Sequence, residues 1–205
     1  MRRLEHRLGL VTLLALVAIA CGGVRYPRTY VLDLQPRTVA APARSASLGT
    51  LAVRDFACPD YLCDGRIVYR PSTTEVGYYE YHRWATTLRR MITDSVAAGI
   101  RTDGVFAGVD SLSKSADPAY VLTGAIQRME EVDDGASVHA VVELSAQLVD
   151  TRARQTVWRH SETVSEPVTR RDVPGVVTSL SAATRRVIDA LVVSLESQIA
   201  SIPTR

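Results

Sequence analysis

Cys58 and Cys63 flank Pro59-Asp60-Tyr61-Leu62, and Cys21 is the only other thiol. A close cysteine pair in an exported chain predicts a disulfide. The loop it closes is short, so the entropic gain is modest, about 2 kcal/mol. Its main work would be to pin a local turn. The competing chemistry is metal ligation, with Asp60, Asp64 or the distant His82 as further donors. C-x4-C without two more ligands is a weak metal signature. His139 and His160 are the other histidines beyond the first 20 residues. Both fall in strand-like runs, where solvated or structural roles are the default. Glu130-Glu131 and Asp133-Asp134 form an acidic run at a strand end. A solvated turn is its ordinary meaning, and a weak calcium site is the alternative. The sequence contains no G-x-S-x-G, H-E-x-x-H, phosphate loop or G-x-G-x-x-G, so no catalytic kit can be assembled. The expectation is a non-enzymatic protein with no metal and no dissociable cofactor.

Cys21 points to different chemistry. Arg2, Arg3 and Arg7 open the chain against a single acid, Glu5. Leu8 to Ala20 is an apolar run broken only by Gly9 and Thr12, with small residues Ala18 and Ala20 before the cysteine. Basic start, short apolar core and small-residue cut site describe a secretory signal. The run has about 13 residues where a bilayer span needs about 20. A cysteine just after such a site accepts a diacylglyceryl group, and the segment resembles a lipobox with Ala18 where Leu is commoner. Ordinary secretion with a stray cysteine is the alternative. It would leave a free thiol at the new terminus.

The organisation expected is a signal peptide at 1–20, a lipidated tether at 21–29 and one domain at 30–205. The tether spans at most about 26 Å when fully extended, so the body must sit near the membrane. After the signal the chain holds 21 basic and 21 acidic residues. A neutral domain exerts no long-range pull on nucleic acid. Arginines outnumber lysines 23 to 1. The pairs Arg89-Arg90, Arg170-Arg171 and Arg185-Arg186 read as solvated faces or loops, and the arginine excess as base-composition bias of the genome.

Strands are expected at Tyr30 to Leu34, Leu48 to Asp55, Arg66 to Arg70 and Val105 to Val109, with a loop from Gln35 to Ser47. Tyr81, Trp84, Leu88, Met91, Ile92 and Val96 recur three and four apart, predicting a helix over Tyr79 to Gly99. Ala119 to Glu131, Ser137 to Asp150 and Gln155 to Val164 read as a three-strand meander with tight turns at Asp133-Asp134-Gly135 and Thr151 to Arg154. Val138, Ala140, Val142, Leu144, Ala146 and Leu148 share its buried face. Val173 to Ile202 is a long helix with Asp172 as N-cap, Pro174 in its first turn and one apolar stripe. The fold class expected is α+β: a mainly antiparallel sheet with a three-strand meander, packed by two helices.

Tyr78, Tyr79, Tyr81 and Trp84 form an aromatic knot close to Tyr69-Arg70. It reads as a core corner, or as a surface for protein or lipid. Ile67-Val68-Tyr69-Arg70, followed by Tyr79-Glu80-Tyr81-His82-Arg83-Trp84-Ala85, resembles the ABC-type transport auxiliary lipoprotein family, the PqiC/YmbA-like proteins. The resemblance covers about 30 to 200, with Tyr30-Val31-Leu32 as the first strand and the His-Arg-Trp piece at a helix start. It implies a periplasm-facing lipoprotein that serves an envelope lipid-transport system as an auxiliary or docking subunit. Its partner would be an MCE-domain protein bridging inner and outer membranes, and such subunits are often homo-oligomers. Tyr69, Arg70, Tyr81, His82, Arg83 and Trp84 are the candidate motif and contact residues, with burial expected for Trp84. Gly22 in place of Asp favours outer-membrane sorting. The competing functions are a lipid-binding carrier, an envelope hydrolase and an outer-membrane assembly lipoprotein.

Overall fold

The computed structural model describes residues 26–35 and 48–200. The leader, Cys21, most of the tether, the loop after Gln35 and Ile202 lie outside the described residues. Eight strands form one sheet: β1 (Arg28–Tyr30), β2 (Leu48–Val53), β3 (Arg66–Arg70), β4 (Gly77–Trp84), β5 (Phe106–Ser111), β6 (Tyr120–Asp133), β7 (Val138–Asp150) and β8 (Gln155–Pro167). Among the described residues three α-helices and one short 3-10 turn (Leu112–Lys114) accompany them: α1 (Asp60–Cys63), α2 (Leu88–Asp103) and α3 (Val173–Ala200). The order is β1-β4-β3-β6-β2-β5, with β7 on the other side of β6 and β8 outside β7.

The meander of β6, β7 and β8 is antiparallel over nearly its whole length. Its turns follow from their chemistry. Gly135 takes a positive φ of 83°, and Asp133 and Asp134 accept backbone N–H groups from the same turn. Asp150 accepts from Arg152 and Ala153 at the other turn. The six apolar residues that alternate along β7 from Val138 to Leu148 are all buried, and so is Val141 on the opposite face. Against the six α3 lays Val173, Val177, Leu180, Val187, Leu191, Leu195 and Ile199, also buried. Asp172 caps this helix by accepting from Gly175 N–H at 2.8 Å.

Several expectations are corrected here, among them the first strand, which is Arg28–Tyr30 and not Tyr30 to Leu34. The sheet is mixed, because β1–β4, β2–β5, β2–β6 and β3–β6 are all parallel pairs. Parallel partners join strands far apart in the chain, so nothing in the local pattern of either strand announces them. There is also a third, short helix, α1, between the cysteines. The helix expected over Tyr79 to Gly99 is two elements. Gly77–Trp84 is strand β4, and α2 begins only at Leu88. Aromatic residues favour a pleated surface, and Thr87 starts the helix by accepting from Arg90 N–H. The pairing of β3 with β4 is irregular between Arg66 and Val68. That irregularity breaks the period-two pattern and makes the strand's spacing imitate a helix. Gly99 does not stop α2; Gly104 does, in a left-handed conformation with φ 66°. Gly99 lies within the helix beside α3.

Candidate functional site

β1, β4, β3 and the far end of β6 meet at one corner of the sheet, and the six motif residues lie there on two strands. Tyr69 and Arg70 belong to β3; Tyr81, His82, Arg83 and Trp84 belong to β4. They divide into three environments. Trp84 is buried in the core, and its backbone N–H donates to Gly65 O at 2.8 Å. Tyr81 and Arg83 are exposed. Tyr69, Arg70 and His82 are half-buried and belong to two polar networks.

The first network surrounds Glu130, which is fully buried on β6. Arg70 grips it with both prongs, Nε to Oε1 and Nη2 to Oε2, each at 2.9 Å. Arg128 adds Nε to Oε1 at 2.8 Å. Such a fork is the strong form of a charged hydrogen bond, and a buried carboxylate requires it. The hydrogen bond to Glu130 holds the Arg70 guanidinium above its ordinary pKa. Burial pushes the Tyr61 phenol up, with the Glu130 charge adding to it.

The second network is aromatic. Tyr69 and Tyr79 rings lie 5.1 Å apart, Tyr79 and His82 6.0 Å, and His82 and Tyr30 5.6 Å. Tyr30 and His82 are also joined by a hydrogen bond of 2.9 Å between the hydroxyl and Nδ1. Tyr79 donates its hydroxyl to Glu131 Oε2 at 2.5 Å. Burial raises the pKa of both partners, and the hydrogen bond raises the phenol further. Burial lowers the His82 pKa, and nearby Arg28 adds to the effect. Gly77 is required at this point. A Cβ there would stand 2.2 Å from the Tyr69 ring, so the ring occupies the space a side chain would need.

Cys58 and Cys63 are bonded in the structure with Cα atoms 6.1 Å apart. They bracket α1, which carries Tyr61 toward the Arg70–Glu130 network. Asp64 is engaged by Arg66 through backbone N–H and guanidinium, and Arg66 lies 3.6 Å over the Tyr78 ring. Among the described residues no group of three His, Cys, Asp or Glu side chains is arranged to hold a metal ion. The acidic run divides accordingly: Glu130 and Glu131 serve the two networks, while Asp133 and Asp134 serve the turn.

One constellation was not legible in the sequence. Ser194 Oγ of α3 lies 3.2 Å from His160 Nδ1, and His160 Nε2 lies 3.1 Å from Glu162 Oε2. Trp158 Nε1 donates to the same serine at 3.1 Å. Thirty-four residues separate Ser194 from His160, so only packing brings them together. The order Ser-His-Glu mimics a nucleophilic triad. Yet Ser194 sits inside a 28-residue helix, where backbone N–H groups are committed to the helix and cannot form an oxyanion hole. The chain of hydrogen bonds ties β8 to α3.

Among the described residues three hollows flank α3, one of them, of about 10 Å³, no larger than a water site. A groove between α2 and α3 encloses about 180 Å³. A wider one of about 430 Å³ beside Trp158 and Gln198 is open surface. No described helix is long and apolar enough to cross a membrane.

The molecule is thus a small α+β body with a polar, aromatic corner beside its N-terminal strand. The model of the family described as the ABC-type transport auxiliary lipoprotein component matches residues 30–192, and the chain belongs to that family. Its members are lipoproteins, so this is an envelope-associated protein. A DUF330-family protein from Xanthomonas campestris is similar in fold, at TM-score 0.70 and 24% identity. The match covers 84% of this chain and 97% of that one. An uncharacterised protein matches at TM-score 0.64 and 14% identity, over 83% and 99% of the two chains. A hypothetical protein of Chlamydia trachomatis matches at 0.51 and 8%, over 76% and 99%. Among curated proteins, none matches the chain in sequence.

Proposed function

We propose that the chain is a periplasm-facing lipoprotein, held in the outer membrane by acyl chains on Cys21. There it acts as a non-enzymatic docking subunit of an MCE-type ABC lipid-transport system. The observation that carries this is the family match, which begins at residue 30, directly behind a lipobox that ends at Cys21. The multiple chains of a mature lipoprotein make the anchor effectively permanent, where one chain would bind only marginally. Tyr26, the first described residue, lies five positions after the anchor, at most about 17 Å of extended chain. The corner of β1, β4 and β3 therefore hangs close to the bilayer. It offers exposed Tyr26, Tyr81 and Arg83 around a rigid, hydrogen-bonded base. Tyrosine and arginine are favoured in protein interfaces.

A carrier that encloses a whole lipid is less well supported. Ligand pockets usually hold roughly 300–1,000 Å³, and the interhelical groove holds about 180 Å³. The test is crosslinking in intact cells followed by capture of the tagged full chain. An MCE-domain protein should be recovered from the wild type, and much less of it from a Tyr81→Ala, Arg83→Ala double variant. Recovery of none from a labelled, membrane-bound wild type would remove the docking claim. Labelling with radioactive fatty acid tests the anchor separately: Cys21→Ala should take up none.

A further inference from the structure

The groove between α2 and α3 carries more carboxylates than cations: Asp94, Asp103 and Asp189 line it against Arg185. Its floor is apolar. Ala98 and Gly99 of α2 face Ile188 and Val192 of α3, and a Cβ on Gly99 would stand 3.2 Å from Val192. Asp103 and Asp189 form part of its wall. Asp103 is only 9% exposed, and its buried Oδ2 has no hydrogen-bond partner among the described residues. It is also the last residue of α2, where the helix dipole opposes negative charge. A buried carboxylate oxygen without a donor is costly, and here helix position and burial act against it together.

Arg185 lines the groove itself, but it and the other nearby cations among the described residues are engaged elsewhere. Arg101 donates to Val109 O at 3.0 Å. Arg185 reaches the Asp33 carbonyl at 3.2 Å and its carboxylate at 3.6 Å. Arg90 pairs with Asp94 at 3.6 Å. Asp103 and Asp189 are left facing an apolar floor.

We propose that this groove binds an organic cation, a primary ammonium on a short apolar stem. The ammonium would donate to Asp103 and Asp189, and its methylenes would lie on Ala98, Ile188 and Val192. A hard metal ion fits poorly, because calcium seeks about 6–8 oxygen ligands. The volume admits a stem of a few methylenes and excludes a full acyl chain. The amine of an aminolipid headgroup and a free alkylamine share this chemistry. The inference needs neither acylation of Cys21 nor a transporter partner.

The test is calorimetric titration of the full chain in detergent micelles with n-hexylammonium chloride, with n-hexanol as the uncharged control. Saturable one-site binding of the ammonium, absent for the alcohol, is expected. Asp103→Asn should weaken it about tenfold to a hundredfold, the range of one charge-assisted hydrogen bond, and Asp189→Asn by less. Ala98→Leu fills the floor without touching a charge, so it should block the ammonium while the melting temperature is kept. Phosphatidylethanolamine vesicles that compete with hexylammonium, where phosphatidylcholine vesicles do not, would assign the source to a lipid headgroup. Equal absence of competition from both would assign it to a free amine. No saturable hexylammonium binding, or binding indifferent to both Asp103→Asn and Ala98→Leu, would overturn the proposal.

Discussion

The meander with α3 and the corner of β1, β3 and β4 are held by opposite means. Between β7 and α3 the contact is apolar. Leu144 and Leu148 meet a helix stripe, and consecutive strands pair through tight turns. At the corner, the centre is a buried carboxylate, Glu130, held by two arginines, and beside it a line of aromatic rings. Hydrophobic packing is tolerant in direction; a bidentate ion pair is not. The difference teaches where this protein is shape-specified. The meander would accept many apolar residues of suitable volume, whereas the corner needs particular donors at particular angles.

The comparison can be broken by substitution. Leu144→Ala should have the largest effect, a loss of about 2–5 kcal/mol from transfer and cavity terms, read by chemical denaturation. Arg70→Ala follows, at about 3 kcal/mol, because breaking one arm of a buried ion pair leaves its charge uncompensated. Arg128 still contacts Glu130 at 2.8 Å, which holds this loss below the top of the range. Should Arg70→Ala cost nothing while Leu144→Ala unfolds the protein, the corner would be ornamental and the contrast false. Gly77→Ala should cost about 1–3 kcal/mol, the usual range for overpacking, since the Tyr69 ring must move. Tyr69→Ala should relieve that strain in a double-mutant cycle.

The smallest effect is a dependence on pH. Burial and Arg28 depress the His82 pKa below its ordinary 6.5. The unfolded chain therefore binds the proton more readily, and the stability His82 contributes is present above about pH 6.5 and lost as pH falls. Glu131 has the opposite sign. Its pKa is raised above 4.5, so its contribution is present below that value and lost as pH rises through the folded one. His82→Gln should flatten the fall in melting temperature between pH 7.5 and 5.5, whereas Glu131→Gln, which removes a contribution that grows as pH falls, should steepen the loss on the acid side. Identical pH profiles in wild type and both variants would show that the corner's titrations are not coupled to folding.

The same contrast explains what could be read in advance. The meander was legible almost residue by residue, since alternation and turn chemistry are local. The strand Arg66 to Arg70 and the stripe of α3 were legible for the same reason. The corner was not. Its residues were named from a motif, but β4 was mistaken for the start of a helix, because the irregular pairing hides its alternation. The partners of Arg70 and Tyr79, namely Glu130 and Glu131, read as a solvated turn. They lie 60 and 52 residues away in the chain.

The amino-acid order alone determined the family, the meander, the long C-terminal helix and the stretch of apolar residues that ends at Cys21. Each is a short-range pattern of period, turn or motif. Tertiary structure alone decided the parallel pairings, the burial of Glu130 between two arginines and the unpaired Asp103 in the groove. Those depend on which distant strands and helices meet, and a side chain's charge has a consequence only once its neighbours have removed the water around it.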